Sequence, residues 1–276
     1  MRGIFAAGVL DLFLERSFRP FDMALGVSVG GSNILSYLAG QHGRARRCFL
    51  GQMSRPEFMD PWRMLRGGHW LDLDWLWDAI TREDPLDCRA AATSGVETTL
   101  VATCARTGLP RYLTPGADDM LDALKASCAL PVLYRGTVRV GDHELVDGGI
   151  SDPIPVREAY RRGARTIVVV RSRAADYVKK DQFVNRLGAW TMRRTPAIAR
   201  ACRSAAAVYR DRVAFLDSPP PDCTIVQVAP TTALATRRTS RDRPAMERDY
   251  ALGRALGSEA IARMEQLLPP TLLATA

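Results

Sequence analysis

The sequence predicts an α/β protein with a mostly parallel central sheet. Short apolar, β-branched runs alternate along the chain with longer segments whose apolar residues recur at helical spacing. No internal repeat or low-complexity segment interrupts this order. The 276 residues, 47% hydrophobic and 25% charged, are enough to bury a sizeable core in an ordinary globular protein. We therefore expect a single domain over residues 1–276.

The N-terminal half predicts helices and strands in alternation. Residues 4–15 place apolar side chains on one side of a helix, and residues 21–27 form a short apolar run that ends in glycine and serine. Helical spacing resumes over residues 28–39, so this region indicates a strand, a sharp turn and a helix. Residues 98–104 are β-branched and predict another strand, which is followed by a helix over 119–127.

The C-terminal half continues the pattern. Residues 138–146 predict a β-hairpin, and residues 155–162 a short helix with proline near its start. Residues 166–170 and 223–228 have the composition of buried strands. A long helix over 246–268 follows.

Two segments depart from this alternation. Residues 61–80 contain four of the five tryptophans, which we interpret as core packing rather than as a lid or a lipid-entry patch. Residues 179–212 are basic and helical, and are broken only by Pro196. One helix face there would carry five arginines: Arg186, Arg193, Arg200, Arg203 and Arg210. Two interpretations stay open for this stripe, a solvated helix face or contact with anionic phospholipid headgroups.

Composition narrows the class of partner and compartment. The net charge of +8 favours an anionic membrane surface, whereas the few aromatics of the basic segment argue against nucleic acid. No apolar stretch reaches the ~18 residues that span a bilayer, and the N-terminus does not resemble a signal peptide. The six cysteines are irregularly spaced without a CxxC pair, which favours reduced thiols in a cytoplasmic protein. Asp72 and Asp74 are interpreted as capping or solvated residues, and we expect neither a metal nor a cofactor.

One glycine-rich turn carries the strongest chemical signal. In Gly26-Val27-Ser28-Val29-Gly30 a serine follows the predicted strand and opens the next helix. In such a turn the glycines relieve crowding around a strained serine backbone, and the helix N-terminus offers partial positive charge to an oxyanion. A helix N-cap without chemistry is the alternative. The strand, turn and helix context favours a nucleophile.

A nucleophilic serine needs a base to take its proton. Asp147 follows a predicted strand and precedes Gly148 and Gly149, so the backbone there can turn sharply. An Asp-Gly turn without chemistry is the alternative. The occurrence of Asp147 together with the serine turn favours a base. Three histidines occupy predicted exposed loops with no context that favours catalysis: His42, His69 and His143.

With these motifs in this order, the chain resembles the patatin-like phospholipases, serine acyl hydrolases that use a Ser-Asp dyad and no histidine. Residues 1–10 match the end of the family's glycine-rich oxyanion segment and the helix after it, and Gly26–Gly30 and Asp147–Gly149 match the other two motifs. Residues 126–131 match a further family segment, and residues 58–76 resemble a bacterial branch. The resemblance covers most of the chain.

The resemblance implies a three-layer α/β/α sandwich in which Ser28 is the nucleophile and Asp147 the base. It also implies a serine acyl ester hydrolase acting on lipids, of phospholipase A or lysophospholipase type, that works through an acyl-enzyme. The oxyanion region corresponds to Arg2, Gly3 and the N–H of Val29. Because an aspartate near its usual pKa of ~3.9 is a weak base at neutral pH, this mechanism relies on the oxyanion hole.

The chain departs from the family at its start. It begins at Met1 inside the first family element, so the first strand and the leading glycines are absent from the sequence. We expect a true start upstream, because the other motifs are intact; a genuinely short product is the other explanation. A catalytically silent lipid-binding protein of the same fold is therefore the alternative function, and a soluble esterase for small acyl esters is a third. The core motifs lie in residues 1–172, with 173–276 as the basic, helical remainder of the same domain.

Overall fold

The computed structural model describes residues 1–131, 133–179 and 195–268, and it has an α/β architecture in which helices flank two sheets. The α-helices are α1 (Ile4–Glu15), α2 (Val29–Leu38), α3 (Arg44–Leu50), α4 (Pro61–Leu65), α5 (Leu73–Glu83), α6 (Cys88–Ala92), α7 (Met120–Cys128), α8 (Val156–Arg161), α9 (Pro196–Asp217) and α10 (Arg243–Leu267). The strands are β1 (Met23–Val27), β2 (Glu97–Cys104), β3 (Pro110–Leu113), β4 (Val138–Val140), β5 (His143–Asp147), β6 (Thr166–Val170) and β7 (Thr224–Val228). The predicted α/β class is confirmed, as is the predicted order of elements within the described residues.

The larger sheet combines parallel and antiparallel pairs. β1 runs parallel to β2, while β2 is antiparallel to both β3 and β5, and β5 forms the predicted hairpin with β4. β6 and β7 form a second, parallel pair. Helices lie between the strands of each parallel pair in the chain, as parallel connections require.

The register of the larger sheet decides where the predicted motifs meet. Val27, the last residue of β1, lies opposite Val101 of β2. The next residue of β2, Ala102, lies opposite Asp147 at the end of β5. Ser28 follows Val27 directly, so β2 brings the serine and the aspartate together across its own backbone.

The C-terminal helix packs closely on the first helix. A Cβ atom added to Gly8 of α1 would lie 2.2 Å from the carbonyl oxygen of Tyr250, and one added to Gly253 of α10 would lie 2.0 Å from that of Phe5. Real Cβ atoms do not approach backbone this closely, so both glycines are needed for the contact. The Tyr250 hydroxyl also donates to the buried Asp11 carboxylate at 2.8 Å. The first and the last described helices, α1 and α10, are therefore joined in one packed layer.

The basic segment is described only in part. Pro196 is the first residue of α9, where proline lacks only an N–H that has no intrahelical partner, and the predicted helix before it falls on residues 180–194, outside the described residues. Arg186 and Arg193 lie outside the described residues, while Arg200, Arg203 and Arg210 are exposed on α9. Both interpretations of this stripe, a solvated helix face and contact with anionic phospholipid headgroups, stay predictions.

The tryptophan segment forms α4 and α5. Core packing is confirmed for Trp77, which is half-buried and donates its indole N–H to the Leu121 carbonyl at 3.0 Å. It is wrong for Trp62, which is 68% exposed. Asp72 caps α5 by accepting the Trp75 N–H at 3.0 Å, as predicted. Within the described ranges, no helix combines the length and the apolar character needed to cross a bilayer.

We expect Gly253→Ala to lower the midpoint of thermal unfolding. In a helix interior alanine is intrinsically better than glycine by about 1 kcal/mol, but here its Cβ would collide with the Phe5 carbonyl. Gly257→Ala, one turn along α10, is the matched control, because its Cβ would meet Leu12 and Val9 at 3.3 Å and small shifts relieve that contact. Equal midpoints for the two variants would contradict the packing of α10 on α1.

Candidate active site

Ser28 sits on a strained turn between β1 and α2. Its φ of 53° and ψ of −134° are rare for a residue with a side chain. A Cβ added to Gly26 would lie 2.4 Å from the Cα of Gly31, and one added to Gly31 would lie 2.8 Å from a methyl group of Leu100. The expectation that Gly30 relieves crowding is wrong, because its Cβ position is open. Gly26 and Gly31 are the glycines that let the turn form.

Ser28 and Asp147 are hydrogen-bonded to each other. The Ser28 hydroxyl donates to Asp147 Oδ2 at 2.7 Å. The other carboxylate oxygen, Oδ1, accepts the Gly149 N–H at 2.7 Å, and the Asp147 carbonyl accepts the Thr103 hydroxyl at 2.8 Å. A Cβ added to Gly148 would lie 2.1 Å from the carbonyl oxygen of Val101, so only glycine lets the chain turn here. The carboxylate is thus fixed on both sides, with one oxygen facing the serine.

The environment of Asp147 strengthens it as a base. The residue is 4% exposed, and burial raises the pKa of its carboxyl above the ordinary value. The hydrogen bonds from Ser28 and Gly149, and the charges of Arg238 and Lys179, oppose the rise without cancelling it. The expectation of a carboxyl near its usual pKa is wrong, because burial disfavours the charged form of Asp147.

Two polar side chains that the sequence analysis did not single out hold the turn in place. Ser127 accepts the Ser28 N–H at 2.8 Å and donates its own hydroxyl to the Val101 carbonyl at 2.6 Å. Asn33 of α2 donates to the Gly3 carbonyl at 2.8 Å. The signal for Ser127 in the sequence is its place in residues 126–131, which match the family. Asn33 has no such signal, because it is only a polar residue within a mostly apolar helical pattern.

The predicted oxyanion residues lie beside the dyad. Gly3 precedes α1, and a Cβ on it would lie 2.6 Å from the side chain of Val29. Arg2, Gly3 and Val29 line the same cavity as Ser28. The backbone N–H groups of Val29 and Gly30 belong to the first turn of α2, where N–H groups have no intrahelical acceptor. The structure therefore brings the predicted set together, and its oxyanion role stays a prediction.

An apolar cavity of about 580 Å³ opens beside Ser28 and Asp147. β1 and β6 line it from the two sheets, and no described strand pairs with both of them. Apolar side chains of α5 form a further wall: Leu73, Leu76, Trp77 and Ile80. A cavity with this lining can accept a hydrocarbon chain, with the serine hydroxyl at its polar part.

Histidine does not contribute to this site. None of the three histidines lines the cavity. His42 is exposed as predicted, whereas His69 is half-buried, with its ring stacked on Tyr134 at 4.5 Å between centroids. His143 begins β5 and contacts Arg111. The six cysteines are free thiols, and in the described part of the chain no group of three or more His, Cys, Asp or Glu could hold a metal ion.

Comparison with known proteins agrees with this arrangement. Residues 1–160 match the family model of the patatin-like phospholipases, and residues 195–269 match a domain of unknown function (DUF6363). A curated relative, the uncharacterized protein YjjU of Escherichia coli (strain K12), is 36% identical over 271 residues, which cover 97% of this chain and 76% of that protein. The chain belongs to the patatin-like phospholipase family.

Proposed function

We propose that this chain is a serine acyl ester hydrolase that acts on lipids, of phospholipase A or lysophospholipase type, with Ser28 as nucleophile and Asp147 as base. The observation that carries the proposal is the 2.7 Å hydrogen bond from the strained Ser28 to the buried Asp147 beside an apolar cavity. Family membership supports lipid hydrolysis at the level of the family.

The first half of the proposed reaction forms an acyl-enzyme. The Ser28 oxygen attacks the ester carbonyl carbon while its proton passes to Asp147 Oδ2, to which it is already hydrogen-bonded. The carbonyl oxygen becomes an oxyanion, and the N–H groups at the start of α2, with the Arg2–Gly3 backbone, are proposed to stabilise it. Removing one such donor typically costs ~3–4 kcal/mol of barrier lowering. Asp147 then protonates the departing alcohol oxygen, and the acyl group stays on Ser28.

The second half releases the fatty acid. A water molecule attacks the acyl carbon and gives its proton to Asp147, and the Ser28 oxygen recovers a proton when it leaves. The apolar walls of the cavity hold the acyl chain through both halves. We also propose that residues 1–276 form a single domain, because α10 packs on α1. The exposed arginines of α9 and the net charge of +8 support a further proposal, that the chain contacts an anionic membrane surface.

Ser28→Ala and Asp147→Asn should each abolish ester hydrolysis in a folded protein, with losses on the order of a thousandfold or more. Ser28 supplies the oxygen that forms the new bond, and Asp147 accepts its proton. No histidine lines the cavity, so none can replace either residue. A fluorophosphonate probe, followed by mass spectrometry of the modified peptide, measures this directly. We expect label on Ser28, lost in Asp147→Asn.

The same labelling decides between the enzyme and the silent alternative. The 276-residue chain is compared with a version extended to any upstream in-frame start. Label on Ser28 in either version supports the hydrolase, whereas no label in both would contradict it and favour a lipid-binding protein without catalysis. Comparable ester turnover in Ser28→Ala would also overturn the assignment.

The activity should fall on the acid side with a midpoint above the usual pKa of an aspartate. Only ionised Asp147 can accept the Ser28 proton, and burial raises its pKa, so activity is lost as the pH falls through that raised value. Arg238→Gln should move the acid midpoint to higher pH, because the Arg238 charge lowers the Asp147 pKa. Arg263→Gln, exposed on α10 and away from the cavity, is the control and should leave the pH profile of kcat/KM unchanged.

Asp147→Asn should unfold at the same temperature as the parent chain or higher at neutral pH. A carboxyl whose folded pKa is raised costs stability when it ionises, so removing the charge relieves that cost. The difference should disappear as the pH falls below the pKa, where the parent carboxyl is itself neutral. Thermal unfolding at several pH values measures this. A variant that is less stable at neutral pH would indicate that Asp147 is structural.

A further inference from the structure

Arg171 is a buried cation without an ion pair in the described part of the chain. It is the first residue after β6, it is 5% exposed, and its backbone N–H donates to the Val228 carbonyl at 2.9 Å. Its Nη2 donates to the Ala175 carbonyl at 3.0 Å, but Nε and Nη1 have no acceptor among the described residues. A buried charge with unused donors is costly unless a partner compensates it. Among the described residues, this guanidinium therefore has no anionic partner.

A second unused polar group and further positive charge surround this guanidinium. Tyr209 is 7% exposed, and its hydroxyl makes no hydrogen bond of ordinary geometry within the described residues. The Arg171 guanidinium lies beside it and opposes the rise that burial causes in the Tyr209 pKa. The Lys179 ammonium lies 5.5 Å from the centroid of the Tyr209 ring, and the Arg173 guanidinium lies 4.2 Å from that of Tyr177. Within the described ranges, neither cation forms an ion pair with a carboxylate. The group as a whole presents donors and positive charge.

The electrostatics agree with this geometry. Burial, together with the charges of Arg238 and Arg173, lowers the pKa of Lys179 to about 8. Burial and the same two arginines lower the pKa of Arg2 to about 10. Asp147 is the carboxylate that acts on Lys179 and Arg238 in the opposite sense. An anion placed among these groups would relieve their mutual repulsion.

Arg171 and its polar neighbours line the same cavity as Ser28 and Asp147. Arg171, Arg173 and Tyr209 line the cavity that also reaches Ser28 and Asp147. Arg171 directly follows β6 as Ser28 directly follows β1, and ligands of α/β sheets bind beyond the carboxyl ends of parallel strands. A ligand at Ser28 can therefore extend a polar group to Arg171 within the cavity.

We propose that Arg171, assisted by Arg173 and Tyr209, binds an anionic oxygen group of the ester substrate, a phosphate or a carboxylate, while Ser28 attacks the ester carbonyl. This inference rests on the proposed hydrolase function and adds to it the residues that select acyl esters with a negative charge. Guanidinium and phenol donors suit such oxyanions because charge-assisted hydrogen bonds are stronger than neutral ones.

The test compares two substrates that differ in one group. Octanoylglycerol phosphate and octanoylglycerol share the acyl chain and the ester, and only the first carries a phosphate. For Arg171→Met we expect kcat/KM on the phosphate ester to fall on the order of tenfold to a hundredfold, with the neutral ester near the parent value. Arg171→Lys should recover part of the loss, and Arg263→Gln, exposed on α10 and away from the cavity, should change neither value.

The unfolding temperature separates binding from a structural role. Because Arg171→Met removes an unpaired buried charge, its thermal midpoint should equal or exceed that of the parent chain. Equal losses on both esters, or no loss on the phosphate ester, would overturn the proposal. If Arg171→Met does not fold, the half-buried Arg173→Gln carries the same test with the same expected selectivity.

Inorganic phosphate identifies the source of the anion. Competitive inhibition against octanoylglycerol phosphate, weakened in Arg171→Met, supports a subsite for the substrate's own group. Phosphate that instead activates hydrolysis of the neutral ester, and does so only when Arg171 is present, would assign the site to a free anion and overturn the substrate assignment.

Binding to the Ser28→Ala chain separates this inference from the hydrolase itself. If the parent chain hydrolyses neither ester and takes no fluorophosphonate label, the proposed function fails, but calorimetry on Ser28→Ala still decides the anion site. Tighter binding of octanoylglycerol phosphate than of octanoylglycerol, with the difference removed by Arg171→Met, supports the site. Equal binding of the two esters overturns it.

Discussion

The backbone of β2 is the constraint on which the candidate site depends. Two consecutive residues of this strand face the ends of two neighbours, Val101 opposite Val27 and Ala102 opposite Asp147, which places the turn of Ser28 against the carboxylate. The Val101 carbonyl also accepts the hydroxyl of Ser127, which in turn holds the Ser28 N–H. A shift of one residue in either pairing would turn the side chains to the opposite faces of the sheet. The chemistry is therefore specified by strand register.

The buried position of Asp147 makes its carboxylate a stronger base but lowers the stability of the folded chain. Burial raises the pKa of Asp147, which favours proton transfer from serine at the expense of folded-state stability. Arg238 and Lys179 moderate this, since their charges stabilise the ionised form. The turn at Ser28 adds backbone strain of its own, of order 1–3 kcal/mol. Packing elsewhere, above all between α1 and α10, must compensate both costs.

Local pattern predicted much of this fold. The bounds of α1 and β6 follow from apolar spacing alone, and Ser28 and Asp147 stand out because glycines flank them at strand ends. The antiparallel pairing of β2 with β5 did not follow, because it joins residues more than 40 positions apart. The packing role of Gly31 did not follow for the same reason, since it depends on the approach of Leu100 from another strand. Arg171 looked like an ordinary charged residue after a strand, and only its burial among other cations distinguishes it.

The two ends of the cavity make opposite demands on a ligand, and this is a basis for selectivity. The walls around Leu73 and Trp77 are apolar and favour a hydrocarbon chain, whereas the part at Arg171 has buried donors that no described residue satisfies. An amphiphile with an anionic group meets both demands. A neutral ester of the same length fills the apolar part but forms no charge-assisted hydrogen bond with Arg171, so it lacks a gain that the anionic ester has. Discrimination against neutral esters then follows from the same unpaired guanidinium, without a separate element that excludes them.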